Sequence, residues 1–197
     1  MKLYWCPKTR AVRAVWMLEE LGVQYERVFI DIRDAAAKAN PAFRAVSPMG
    51  KVPALEDGTT RLWDSGAICA YLADKYPTAG LAPPIGSPDR GAYLQWLLYT
   101  NSVIEPAMAE KFTSAQPSAV AHGWGSFALM LDVLRDGLAR GPWVLGERFS
   151  AADVLLGTSC NFMRQFKILE NEPGLCAYAD RCAARPAFQR AAALDVL

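Results

Sequence analysis

Along the first eighty residues the apolar positions switch between two periods. Leu3-Tyr4-Trp5 ends a short apolar run that predicts a strand over Lys2–Trp5. Ala11, Val12, Ala14, Val15, Leu18 and Leu21 then follow the 3.6-residue period of a helix over Arg10–Leu21, with Gly22 as its C-cap. Tyr25–Ile30, rich in β-branched and aromatic side chains, predicts a second strand, and the Ala-rich Asp34–Phe43 a second helix. Val52–Glu56 and Thr60–Trp63 flank Asp57-Gly58, a strong hairpin signal, and Asp64–Tyr76 opens on capping residues and continues as a helix. The order β-α-β-α-β-β-α predicts a mixed sheet with helices on its faces.

Pro and Gly crowd the stretch from Pro77 to Pro88, which reads as a linker. Beyond it the pattern predicts helices alone: Asp89–Phe112, Ser118–Arg140, Ala151–Lys167, Glu172–Ala184 and a last short one opened by Pro186. The expected organisation is an α/β domain over residues 1–76, a linker over 77–88 and an all-α bundle over 89–197.

Composition narrows the function. The chain has 197 residues, 52% of them hydrophobic and 21% charged, a globular balance. Its formal net charge is +1, with both signs scattered, which gives no electrostatic case for nucleic acid or an anionic membrane. No apolar run approaches the roughly 18 residues of a membrane span. The N-terminal apolar stretch stops at Cys6 and gives way to Pro, Lys and Arg, unlike a secretory signal, so a cytoplasmic location is expected. The five cysteines (Cys6, Cys69, Cys160, Cys176, Cys182) form no CxxC pair, and with His122 as the single histidine no Cys/His zinc site is expected. Reduced thiols fit this usage best.

Three short segments carry candidate chemistry. Cys6-Pro7 sits where the first strand hands over to the first helix; a helix N-terminus favours negative charge, and Arg10 and Arg13 add positive potential, so the spacing predicts an easily ionised thiol. Pro7 suits the first helical turn. A buried, inert cysteine is the competing reading. In Met49-Gly50-Lys51-Val52-Pro53-Ala54-Leu55, a proline at the start of a strand is useful if the Val52-Pro53 bond is cis and turns the Val52 backbone outward to pair with an extended peptide; an ordinary trans proline in a loop is the alternative. Asp64-Ser65 opens a helix whose N–H groups suit a carboxylate while Asp64 suits an ammonium, the two charges of an α-amino-acid head group. A plain N-cap explains the same residues.

In this order and spacing the segments resemble the glutathione S-transferase family over the whole chain. The resemblance rests on Cys6-Pro7-Lys8-Thr9-Arg10-Ala11-Val12-Arg13, Leu18-Glu19-Glu20-Leu21-Gly22, Gly50-Lys51-Val52-Pro53-Ala54-Leu55, Asp64-Ser65 and Phe149-Ser150-Ala151-Ala152-Asp153. It implies a thioredoxin-like N-terminal domain, an α-helical C-terminal domain and a homodimer, with glutathione as co-substrate and no metal. Val52 then pairs through its backbone with the cysteinyl unit of glutathione beside a cis Pro53, Ser65 and Asp64 hold the γ-glutamyl head group, and Lys51 and Lys38 face the glycyl end. Ser150 and Asp153 resemble the family's capping box, with Phe149 stapled onto Val154. Cys6 falls on the catalytic serine of some classes and the catalytic cysteine of others. A hydrogen-bond donor there activates the glutathione thiol toward a small hydrophobic electrophile; a nucleophile there makes a thiol transferase working through a mixed disulfide. Thr9 occupies the place of a second cysteine in dithiol relatives, and Thr9 or Tyr4 is an alternative donor. Tyr99 and Met108, on the first long helix of the second half, are candidates to line the electrophile site. A non-catalytic binding or regulatory protein on the same fold is a third reading, against which the intact Val52-Pro53 and Asp64-Ser65 argue.

Overall fold

A computed structural model of the chain describes residues 1–113 and 120–197. They form two compact units, one of Met1–Gly80 with Ala184–Leu197 and one of Leu81–Ala183.

The first unit is built on a four-stranded sheet of order β2-β1-β3-β4, where β1 is Lys2–Trp5, β2 Glu26–Phe29, β3 Ala54–Asp57 and β4 Thr60–Trp63. β2 runs parallel to β1, and β3 and β4 are antiparallel additions. Alternation in β1 buries Leu3 and Trp5 on one face. Helices α1 (Ala11–Leu21) and α4 (Ser65–Lys75) bury Val15, Trp16, Leu18, Ile68 and Leu72 in the core of this unit. Gly22 ends α1 with a left-handed φ of 63° and an N–H donated to the Leu18 carbonyl. The single helix expected over 34–43 is two short ones, α2 (Ala35–Ala39) and α3 (Pro41–Arg44), because Pro41 interrupts the ladder and the Asn40 side chain caps the second by accepting from the Ala42 and Phe43 N–H groups.

The second unit is helical: α5 (Arg90–Tyr99), α6 (Glu105–Thr113), α7 (Phe127–Leu138), α8 (Ala151–Gln165) and α9 (Pro173–Ala183). α5 and α6 are one continuous helical run joined by a π-helical turn over Thr100–Ile104. Pro106 explains the turn, since it has no N–H for the Ser102 carbonyl and its ring displaces it. The expected helix over 118–140 begins in part outside the described residues; its described portion starts at Phe127, after turns at Gly123 and Gly125. α8 is buried over nearly its whole length, and its capping box is present. Asp153 does more than the box requires: one carboxylate oxygen takes the Ser150 N–H and hydroxyl, while the other takes the Val144 N–H (2.9 Å) and the Tyr178 hydroxyl (2.8 Å). Phe149 stacks edge-on against Trp143 at 4.9 Å.

The last helix, α10 (Pro186–Leu194), was expected with the helical half; it packs instead on α1 in the first unit. Phe188 meets the buried Trp16 edge-on at 4.9 Å. Arg185 clasps the Glu20 carboxylate with two N–H groups at 2.6 and 2.8 Å, and Arg190 donates to the Glu19 side chain and carbonyl. Helical periodicity shows that a face is apolar, not which partner covers it.

Candidate active site

Sheet register gathers the three candidate segments. Tyr4 pairs with Ala54, Ala54 with Trp63, and Trp5 with Phe29. The C-terminal ends of β1, β2 and β4 and the N-terminal end of β3 therefore share one end of the sheet, which brings Cys6, residues 30–33, Val52-Pro53 and Asp64-Ser65 to the same edge.

Cys6 is fully buried. α1 starts only at Ala11, so Pro7 lies in a turn ahead of the helix and not in its first turn. Local hydrogen bonds account for this. The Thr9 hydroxyl donates to the Cys6 carbonyl (2.7 Å) and accepts from the Ala11 N–H (3.1 Å), closing a tight turn before the helix begins. Lys8 within it adopts φ 57°. Burial alone does not set Cys6 apart, because Cys69 and Cys160 are equally enclosed and desolvation pushes their thiols up to about 12. The distinguishing contact is with Arg33, whose Nη1 lies 3.8 Å from the Cys6 sulfur. Sequence reasoning missed Arg33: it belongs to no motif, and only the pairing of β2 beside β1 delivers it. Arg13, expected to add positive potential near the thiol, is itself buried and donates from Nη1 to the Ser65 hydroxyl oxygen at 3.3 Å. Tyr4 turns toward Phe43 (5.7 Å between ring centroids) in the cluster of Phe43, Val46 and Ala54.

The Val52-Pro53 bond is cis. Val52 lies just outside the ladder, which begins at Ala54. The Ser47 hydroxyl fixes the preceding residue from both sides, donating to the Lys51 carbonyl (2.7 Å) and accepting the Lys51 N–H (3.1 Å). Gly50 has φ 63°, and a Cβ there would lie 2.6 Å from Arg44 Nη1 and 3.2 Å from the Lys38 carbonyl oxygen, so a side chain would be both strained and crowded. This close approach sets Lys38 beside the Gly50–Val52 loop, while the Lys51 side chain is exposed.

Asp64 holds φ 79° and caps α4, its Oδ1 accepting the N–H groups of Gly66 (2.9 Å) and Ala67 (3.2 Å). Part of the anion-binding capacity of this helix end is thus met by Asp64 itself. Ser65 is the first helical residue and is buried.

A family model described as the N-terminal domain of glutathione S-transferase matches residues 1–74, and one described as its C-terminal domain matches residues 117–190. The chain belongs to the glutathione S-transferase family. Glutathione S-transferase 3 of Zea mays is 33% identical over 98% of this chain and 93% of its own. The disulfide-bond oxidoreductase YfcG of Escherichia coli K12 is 28% identical over 96% and 93%. Among solved structures, a sphingomonad glutathione S-transferase complexed with glutathione superposes with a TM-score of 0.82 at 32% identity, covering 99% of this chain and 98% of that one. The sheet with its flanking helices is the family's thioredoxin-like domain, and the helical unit its C-terminal domain.

Tyr99 and Met108 lie in the helical unit. Tyr99 donates its hydroxyl to the Met130 carbonyl (2.9 Å), stacks edge-on with Trp96, and is pushed up to about 12 by burial. Its ring lines a cavity of about 320 Å³ together with Val103, His122, Trp124, Leu129 and Val133. Met108 is buried in the core of the unit. No group of three potential metal ligands occurs among the described residues, and none of their helices is long and apolar enough to cross a membrane.

Proposed function

We propose that the protein binds glutathione at the sheet end bearing Val52 and Ser65 and transfers its thiol to a small hydrophobic electrophile. The observation that carries this reading is the convergence of Cys6, Val52-Pro53 and Asp64-Ser65 at one end of the sheet. Val52 offers backbone groups beyond the ladder to the cysteinyl unit. Ser65, oriented by Arg13, takes the γ-glutamyl carboxylate and Asp64 the ammonium, with Lys51 and Lys38 toward the glycyl carboxylate. The glutathione sulfur then lies toward Cys6, where a thiol hydrogen bond favours the thiolate, while Thr9, whose hydroxyl is given to the Cys6 carbonyl, shapes the turn. Tyr99 lines a cavity of the helical unit that suits an apolar electrophile, whereas Met108 is buried in the core and is not among the residues that line it. The working unit is a homodimer in the cytoplasm. It packs one subunit's glutathione domain against the other's helical domain, where α5 leaves Leu94 and Leu98, one turn apart, in solvent.

The contact of Arg33 with the Cys6 sulfur favours a second reading, in which Cys6 is itself the nucleophile. Its thiolate attacks the glutathione sulfur of a glutathionylated substrate and expels the substrate thiolate. A second glutathione thiolate then attacks the mixed disulfide, releasing oxidised glutathione and regenerating the Cys6 thiolate. Two variants separate the readings. Under conjugation with Cys6 as donor, Cys6→Ser retains activity toward an aromatic halide, Cys6→Ala loses at least tenfold, and oxidised glutathione adds no mass. Under thiol transfer, the wild type gains one glutathione by intact-mass measurement and Cys6→Ser abolishes reduction of a glutathionylated thiol.

A further inference from the structure

The turn that carries Cys6 and Thr9 is held from a second side, by a residue 187 positions away in sequence. Lys8 sits in the left-handed region, φ 57°, a conformation that non-glycine residues keep only where surrounding contacts enforce it. Its backbone N–H points at the carboxylate of Asp195, with both oxygens at 3.1 Å. Asp195 is the residue that ends α10.

The carboxylate is not there by accident of a loose tail. α10 is fixed along α1 by Phe188 against Trp16, by Arg185 on Glu20 and by Arg190 on Glu19. Its last turn is fixed again by Arg27, which donates to the Leu194 carbonyl and lays its guanidinium over the Trp5 ring, 4.5 Å from the centroid. Trp5 is the residue before Cys6. One arginine of β2 thus ties the end of α10 to the end of β1, and Asp195 closes the circuit onto Lys8. Asp195 is half-buried, and burial raises its carboxyl above the usual value, an effect that the Lys8 N–H and side chain partly offset.

We propose that Asp195 is a positioning residue for Cys6: by holding the Lys8 N–H it keeps the Cys6–Thr9 turn in its left-handed conformation, and so sets the place of the thiol and of the Thr9 hydroxyl. This rests on the reading of Cys6 and Thr9 as the catalytic turn. The groups proposed to bind glutathione, Val52, Asp64 and Ser65, belong to other segments of the unit, so Asp195 acts on turnover and not on glutathione affinity.

The test uses the full chain as Asp195→Ala, Asp195→Asn, and Asp195→Ala combined with Lys8→Gly. Glycine adopts φ near 60° without penalty, so it removes the need for the carboxylate while leaving α10 short of it. Asp195→Ala is expected to lower kcat at least tenfold with KM for glutathione changed less than twofold. Asp195→Asn, which retains one acceptor oxygen, should stay within about threefold of wild type, and the double variant should recover to a similar level. In parallel, alkylation of Cys6 by N-ethylmaleimide, followed by peptide mass, should accelerate about tenfold in Asp195→Ala as the loosened turn exposes a buried thiol, and return toward the wild-type rate in the double variant. Wild-type kcat and alkylation in Asp195→Ala overturn the proposal. So does a loss that Lys8→Gly fails to restore, because Asp195 then acts through α10 as a whole. If the wild type shows no glutathione-dependent activity, the reading of the site fails while the alkylation rates still decide whether Asp195 holds the turn.

Discussion

At the scale of single residues, the proposed binding edge depends on charged and polar groups whose partners lie far off in sequence. Ser65 is buried with Arg13 on its hydroxyl, and Asp64 caps the helix that Ser65 begins. Ser65→Ala removes the contact proposed to the charged head group, worth about 1.5–3 kcal/mol, and should weaken binding to immobilised glutathione by at least tenfold, with a modest loss of stability because the buried Arg13 loses an acceptor. Asp64→Ala should weaken retention as well, and lower stability by about 0.5–2 kcal/mol through loss of the cap. Full retention by both variants removes this edge as the glutathione site. The side chains of Asp64 and Ser65 were legible from the sequence because a capping pair announces itself locally. Arg33 was not, since an arginine after a strand has no local mark and acquires meaning only when the strand pairs beside β1.

At the scale of elements, two polar links tie helices to their surroundings. Asp153 joins the start of α8 to Val144 and to Tyr178 of α9 in one buried group. Asp153→Ala leaves several buried donors unanswered and should cost about 3 kcal/mol in urea unfolding, whereas Tyr178→Phe removes one hydrogen bond and should cost about 1 kcal/mol. Equal, small losses would reduce Asp153 to an ordinary cap. In the first unit, Asp57 at the end of β3 accepts from Lys75 of α4 and from the Tyr71 hydroxyl (2.8 Å). The hydrogen bond from Lys75 holds the Asp57 carboxyl below its usual 3.8, with Tyr71 adding to it. A depressed folded-state pKa contributes stability that is present above the unfolded value and lost as pH falls through the folded one. Wild type should therefore melt above Asp57→Asn near neutral pH, and the gap should close on acidification below about pH 4. A gap that is flat with pH would assign the effect to packing.

At the scale of the whole molecule, α5 and α7 each leave a pair of large apolar side chains in water, Leu98 being 58% and Leu129 52% exposed. Leu94→Glu and Leu98→Glu should convert the proposed dimer into a monomer of about half the mass by light scattering at micromolar concentration, with the helical content retained. A wild-type monomer at that concentration refutes the dimer. By itself the sequence determined the alternation of strands and helices, the hairpin at Asp57-Gly58 and the capping box at Ser150, because each is a local bargain between backbone geometry and near neighbours. It did not determine the place of Pro7, which lies ahead of α1 in the turn that the Thr9 hydroxyl closes, nor the split at Asn40. The partner of α10 was decided only by tertiary structure: an amphipathic helix specifies that one face will be covered, and complementary charge at Glu19 and Glu20 and the fit of Phe188 on Trp16 choose the cover. For the same reason Arg33 beside Cys6 and Asp195 beneath Lys8 belong to the fold and not to any motif, since their contacts exist only once β2 lies along β1 and α10 along α1.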